Sequence, residues 1–186
     1  MLRLIDRNDI ELFAQISDTV YDNVLNQHIN TAQFVDLQKL LGSEFYNDLI
    51  RNSTDAKYKA LLNLGDYTYQ SVTYTNHGLK AVLVHYAYGR YIQFGSQTDT
   101  PFGYVEKITN DSQPVDFNQK KSIAKMNQQT AFNYWESVKL FLDRNADDYP
   151  LWKNSCVTQR GTFRISKIGG SSDVSVNTAS IFKLKT

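Results

Sequence analysis

Residues 79–94, LKAVLVHYAYGRYIQF, are the stretch that decides the fold. Apolar side chains recur there at three- and four-residue steps, which predicts an α-helix. One predicted face comprises Leu79, Val82, Leu83, Tyr86, Arg90 and Tyr91, and much of the rest is covered by Val84, Ala87, Tyr88 and Ile92. A helix that is apolar on most sides lies in the centre of a bundle. Gly89 in its middle costs up to about 1 kcal/mol relative to alanine, so we expect another backbone to pack closely against it.

Helical spacing also precedes this stretch. Residues 18–41 carry apolar side chains at three- to five-residue steps, which predicts one helix face. Asp18 is the predicted N-cap, and Gly42 is the glycine expected just after the C-terminus. Ser43 begins the next helix, and a short amphipathic helix follows it and is ended by Gly65.

Two segments interrupt the helices. Residues 66–75, DYTYQSVTYT, are β-prone and alternate loosely, which predicts a short β-hairpin or an extended crossover. Asn76 then caps the central helix. Residues 95–114 form a long loop with a candidate strand at 104–108, and loops of this length inside a domain are usually functional, ordered by a partner or flexible.

The longest predicted helix starts at Asp116 and runs to about Asn145. Its predicted core face comprises Ile123, Met126, Ala131, Trp135, Val138 and Leu142. Its predicted solvent face comprises Gln119, Lys120, Gln128, Gln129 and Lys139. The sequence Asp-Asp-Tyr-Pro at 147–150 stops this helix.

The charge distribution changes near Pro150. Residues 153–186 contain six Lys and Arg against one acid, Asp173, whereas residues 1–152 contain 14 bases and 18 acids. The later residues also alternate with period two. We therefore predict a mainly α protein: a helical bundle of about four to five helices in a body at 1–152, with a short β-hairpin or extended crossover, and an extended β-like C-terminal arm at 153–186.

Composition and motifs limit the chemistry. Hydrophobic residues make up 41% and aromatic residues 13% of the chain, which indicates a folded body. We find no metal-ligand spacing at His28, His77 or His85, no phosphate-binding glycine loop and no nucleophile elbow, so we predict no catalytic, cofactor or metal residues. One cysteine, Cys156, together with no apparent secretion signal or membrane span, predicts a cytoplasmic site of synthesis.

Four stretches resemble the head–tail connector, or neck adaptor, proteins of tailed bacteriophages, especially the crAss-like phages and other phages of Bacteroidetes. They are INTAQ at 29–33, LLGSEFYNDL at 40–49, NHGLKAVLVHYAYGRY at 76–91 and TPFGYV at 100–105. Together they place the resemblance over roughly residues 16–150.

The resemblance implies a structural virion protein that catalyses nothing. It implies a subunit of a homo-oligomeric ring, a dodecamer in that family, docked under the portal protein and touching adjacent tail or neck ring proteins. The ring would extend the DNA channel toward the tail, and DNA would pass through it without specific binding. The implied location is the neck of the virion, with assembly in the host cytoplasm and no membrane.

Two regions are the predicted partner contacts. The arm supplies Arg160, Phe163, Arg164, Ile165, Lys167 and Phe182, and the loop supplies Pro101, Phe102 and Tyr104. The arm could add as a strand to a neighbouring sheet edge, bind phosphate or an acidic protein surface, or stay unstructured. The alternatives for the whole protein are a nucleic-acid-binding or regulatory helical domain that uses the basic tail, and an enzyme with an unrecognised site.

Overall fold

A computed structural model of the chain describes residues 2–95, 97–101, 103–106 and 115–153. These residues are mainly helical, as predicted. The α-helices are α1 (Arg7–Glu11), α2 (Asp22–Thr31), α3 (Gln38–Leu41), α4 (Ser43–Arg51), α5 (Ala56–Leu62), α6 (Leu79–Phe94), α7 (Phe117–Arg144) and α8 (Pro150–Lys153). The strands are β1 (Gly65–Tyr69), β2 (Val72–Asn76), β3 (Gln97–Thr100) and β4 (Gly103–Glu106).

A π-helical segment, Ala32–Leu37, joins α2 to α3 without a break. The predicted cap at Asp18 is wrong, because α2 begins at Asp22 after an extended Tyr21. Arg7 explains the difference: its guanidinium contacts the Asp22 carboxylate and the Val20 carbonyl, which holds the preceding loop out of helical geometry. Gly42 ends α3 with a φ of 81°, a left-handed value that favours glycine, so the predicted break is confirmed.

Residues 66–75 form a β-hairpin, which was the first of the two predicted possibilities. Strands β1 and β2 pair antiparallel, with Tyr67 opposite Tyr74. Gln70 and Ser71 both take positive φ values, 49° and 64°, as a tight two-residue hairpin turn requires. Arg144 fixes this hairpin to α7, since its guanidinium carbon lies 3.7 Å from the centre of the Tyr74 ring.

The core lies around α6, which packs against α7 on one side and α1, α2 and the π-helical segment on the other. Seven of its residues are buried, including Val82, Leu83 and Ala87. The close approach predicted at Gly89 is confirmed: a Cβ there would lie 3.3 Å from the Ala124 carbonyl oxygen of α7. The predicted cap at Asn76 is wrong, because Gly78 is the N-cap residue of α6 and Asn76 is the last residue of β2. Asn76 is buried, and its side chain accepts a hydrogen bond from the Gly78 amide.

Helix α7 has the predicted bounds, with the Asp116 carboxylate accepting from the Asn118 amide. The prediction for the faces of its N-terminal half is wrong. Ile123 and Met126 are 37% and 69% exposed, whereas Lys120 is buried. The cause is the contact with Gly89, because Ala124 rather than its larger neighbours fits against that bare backbone. In the C-terminal half, Ala131, Trp135, Val138 and Leu142 are buried as predicted.

Helix α8 covers one end of the bundle. The Trp152 side chain is 1% exposed, and its ring lies 5.8 Å from Trp135 and 6.1 Å from Phe45. Its indole nitrogen donates to the Asp143 carboxylate at 2.8 Å. The hydroxyl of Tyr149 donates to the Lys57 carbonyl at 2.6 Å. We call this end, formed by α4, α5, α8 and the C-terminal half of α7, the closed end.

Residues 107–108 of the predicted strand at 104–108 and the arm residues 154–186 lie outside the described residues. The extended form of the arm and its separation from the body therefore stay predictions.

Candidate interaction surface

The opposite end of the bundle leaves apolar side chains uncovered. The C-terminus of α6 and the N-terminus of α7 form a groove of about 220 Å³. Its lining is Tyr91, Ile92, Gly95, Val115, Lys120 and Ile123. Phe94 precedes the lining residue Gly95 in the chain, Phe117 follows Val115 by two residues, and Phe117 is 52% exposed. We call these eight residues the open end.

Local interactions fix the shape of the open end. The Arg90 guanidinium donates two hydrogen bonds to the Asp36 carboxylate, at 2.8 and 2.9 Å, which ties the last turn of α6 to the π-helical segment. Gly95 donates to the Tyr91 carbonyl, and a Cβ at Gly95 would lie 2.6 Å from the Tyr91 ring. Glycine therefore lets the chain leave α6 directly against that ring.

The hairpin formed by β3 and β4 follows the open end directly in sequence. Pro101 lies in its turn and is exposed, and Tyr104 belongs to β4. Phe102 lies outside the described residues, as do the predicted arm contacts Arg160, Phe163, Arg164, Ile165, Lys167 and Phe182. The groove was missed by sequence reasoning, which assigned Ile123 to the core and made no use of Val115.

A second surface combines acidic and apolar side chains at residues 9–22, DIELFAQISDTVYD, which we call the acidic segment. It contains four acids and no Lys or Arg. Leu12 is 80% and Tyr21 79% exposed, and Phe13 is about half exposed. Sequence reasoning missed this surface too, although the run of acids without a base was a readable signal.

The three histidines take part in contacts within the fold. The Nδ1 atom of His77 lies 2.9 Å from the Ser137 hydroxyl, and that of His85 lies 3.0 Å from the Asn127 side-chain oxygen. Burial and the nearby Arg90 guanidinium lower the pKa of His28, whose ring meets Tyr91 edge to face. Within the described ranges, no group of three His, Cys, Asp or Glu residues is placed to hold a metal ion.

Two further observations concern the apolar length of the helices and the partners of acids near the end of α7. Among the described residues, no helix combines the length and the apolar character needed to cross a membrane. Two acids near the end of α7 have partners within the fold: the Asp143 carboxylate accepts from the Trp152 indole, and Asp147 pairs with Lys153 at 3.3 Å.

Comparison with known proteins places the chain in a family. Residues 37–162 match a family of unknown function, DUF6712, and the chain belongs to that family. The match runs from the end of the π-helical segment through α8, so it includes the closed end and the open end. No curated protein and no solved structure matches the chain.

Proposed function

We propose that this member of the DUF6712 family is a structural virion protein, a subunit of a head–tail connector ring. In this proposal the ring docks under the portal protein and extends the DNA channel toward the tail, and the chain catalyses nothing. The observation that carries the proposal is the open end, an apolar surface at the junction of two helices. Exposed apolar patches of this kind mark contacts with other proteins.

The resemblance to connector proteins rests on residues that hold the fold. In its first two stretches Ala32, Gln33, Leu41, Phe45 and Leu49 are buried. The Gln33 side chain holds the N-terminal segment in place, because it accepts a hydrogen bond from the Leu4 amide and donates one to the Leu2 carbonyl. The residues that carry the resemblance are therefore the ones that shape the body of a ring subunit.

The open end supports assembly by head-to-tail contacts. In a closed ring with head-to-tail contacts, each copy binds the next copy through one surface and the previous copy through a different surface. Val115, Phe117 and Ile123 would bury their exposed area in such a contact, and burial of apolar area contributes roughly 25 cal/mol per Å². The β3–β4 hairpin, with Pro101 at its turn, follows this surface in sequence and would meet the next ring or the portal.

The charge of the body supports a channel that DNA can traverse. Residues 1–152 carry four more acids than bases. Tight binding of DNA depends on Lys and Arg that neutralise phosphates. A body with a net negative charge therefore favours passage of DNA over its retention.

The test is assembly with the portal protein encoded in the same genome. The full-length chain and that portal are co-expressed, and the purified material is measured by native mass spectrometry and imaged by electron microscopy. We expect a ring of this chain stacked on the portal ring. A chain that stays monomeric and does not co-purify with the portal would contradict the proposal.

The nucleic-acid-binding alternative has its own readout. Filter binding of duplex DNA to the full-length chain across a salt series measures how many phosphates are neutralised. We expect weak retention with a shallow dependence on salt. Tight binding with a steep negative slope would favour the alternative over the connector.

A further inference from the structure

One side of α7 presents a row of exposed lysines. Residues 117–135 of this helix contain three lysines and no Asp or Glu, although residues 1–152 as a whole hold 18 acids against 14 bases. The exposed residues of this side, which we call the lysine stripe, are Lys121, Lys125, Gln128 and Lys139. Their spacings of four, three and eleven residues place them on one side of the helix.

The charges of the lysine stripe are not compensated within the fold that the structure describes. Among those residues, Lys121, Lys125 and Lys139 form no ion pair. Lys121 and Lys125 stand four residues apart, and like charges at that spacing destabilise a helix. Asp143, four residues after Lys139, accepts from the Trp152 indole. This arrangement indicates an anionic partner outside the chain.

Three other exposed lysines have local roles in the fold. Lys39 and Lys59 stand in the last turns of α3 and α5, where the helix dipole favours a cation. The Lys57 amine lies 4.8 Å from the centre of the Tyr58 ring, which attracts a cation. The fold therefore accounts for these three lysines, and they provide a matched control for the stripe.

The lysine stripe fits the backbone of duplex DNA in length and chemistry. At 1.5 Å per residue, Lys121 and Lys139 stand about 27 Å apart along the helix axis. Duplex DNA carries one negative charge about every 1.7 Å along its own axis. The exposed amides of Asn118 and Gln128 lie beside the lysines and can donate to phosphate oxygens. Phe132 is the large apolar side chain of this side, and one such side chain is too little for the apolar core of a protein contact.

We propose that the lysine stripe contacts the phosphate backbone of duplex DNA. Each of its three amines neutralises one phosphate and reads no base, so the contact is independent of sequence. The inference deepens the proposed function and rests on it for one point: in a connector ring this side of α7 would face the channel. Contacts of this kind let DNA slide along a protein, which suits a channel that DNA traverses.

The test is acetylation of the lysine amines of the full-length chain, with and without a short duplex DNA, followed by peptide mass spectrometry. Bound phosphates should slow acetylation of Lys121, Lys125 and Lys139 roughly three-fold at about 0.05 M salt. This protection should vanish at about 0.5 M salt, because the charges are exposed and screened. Lys39 and Lys59 should react at the same rate with and without DNA.

Two charge-matched variants complete the test: K121Q/K125Q/K139Q in the stripe and K39Q/K57Q/K59Q elsewhere. The stripe variant should reduce the slope of log affinity for DNA against log salt by about 2.7, since each phosphate contact contributes about 0.9. The control variant should keep the wild-type slope. Both variants retain the basic residues of 153–186, so any contribution of those residues cancels. Melting temperatures no lower than that of the wild type would show that both variants fold.

The proposal is overturned if DNA protects none of the three stripe lysines, if it protects all exposed lysines equally, or if both variants reduce the slope equally. Stripe lysines that the portal protein protects and DNA does not would identify a protein contact in its place. Ring formation, measured by native mass spectrometry, is a separate outcome. A ring whose stripe lysines stay reactive with DNA would overturn this inference and keep the connector. Protected lysines in a chain that forms no ring would keep the DNA contact and contradict the connector.

Discussion

The closed end and the open end are built from the same kinds of side chain, but only one of them is covered. At the closed end, Trp152 of α8 completes a cluster with Phe45, Tyr58 and Tyr149. At the open end, Phe117 and Ile123 of α7 occupy comparable positions near a helix end and remain exposed. The difference is one short helix, since α8 covers the first cluster and no described element covers the second.

This comparison separates two uses of aromatic residues. Those of the closed end stabilise the fold of a single copy, and those of the open end are available to a partner. Substitutions should therefore affect stability at one end and assembly at the other. The predictions below follow that division.

The largest effect is expected for Trp152→Ala. Truncation of a fully buried tryptophan costs about 3–5 kcal/mol of unfolding free energy, because it leaves a cavity and removes a donor from Asp143. Chemical denaturation followed by circular dichroism measures it. Phe117→Ala is the matched control, and its cost should be under about 0.5 kcal/mol because that ring is half exposed. Equal costs would remove the distinction between the two ends.

Alkaline pH should weaken the closed end. Burial, with a smaller contribution from the Asp148 carboxylate, raises the pKa of Tyr149 to about 12, above its ordinary value of 10. The stability that neutral Tyr149 provides is complete below pH 10 and is lost as the pH rises toward 12. Melting temperatures measured across that window should fall, and Tyr149→Phe should reduce the fall. The account would be contradicted if the melting temperature of Tyr149→Phe fell as far over this pH range as that of the wild type.

Mild acid should weaken the open end, with the smallest effect. The pKa of His28 is lowered by burial and by Arg90, so the folded state binds a proton less readily than the unfolded state. The associated stability is complete above the unfolded pKa of about 6.5 and is lost as the pH falls through that value toward the folded pKa. His28→Gln should reduce the fall in melting temperature over this pH range. An acid-induced loss that is the same in both proteins would mean that other groups cause it.

The sequence predicted the features that depend on local chemistry. Asp116 caps α7, Gly42 ends α3, and the close approach at Gly89 followed from a glycine inside an apolar helix. Each of these is readable because one residue type has one strong backbone preference. The central position of α6 was readable for a related reason, since apolar residues on most sides leave no face for solvent.

The predictions that failed depend on distant contacts. Asp18 carries the right side chain for a cap, but Arg7 holds the loop around it. Ile123 fits a core pattern, but α7 is turned so that Ala124 meets Gly89. Periodicity identifies the apolar face of a helix but not how much of that face another element covers. The open end therefore could not be predicted from the sequence. The π-helical segment had no sequence signal either.

The central claim is that the open end binds another protein during assembly. The most direct measurement is native mass spectrometry of the chain after co-expression with the portal protein of the proposed connector, for the wild type, F117S/I123S and L140S. Leu140 is an exposed apolar residue on the same helix, far from the open end, and serves as the control. We predict ring-sized, portal-bound assemblies for the wild type and L140S, and a folded monomer for F117S/I123S. Assemblies of the same mass from all three proteins would contradict the claim.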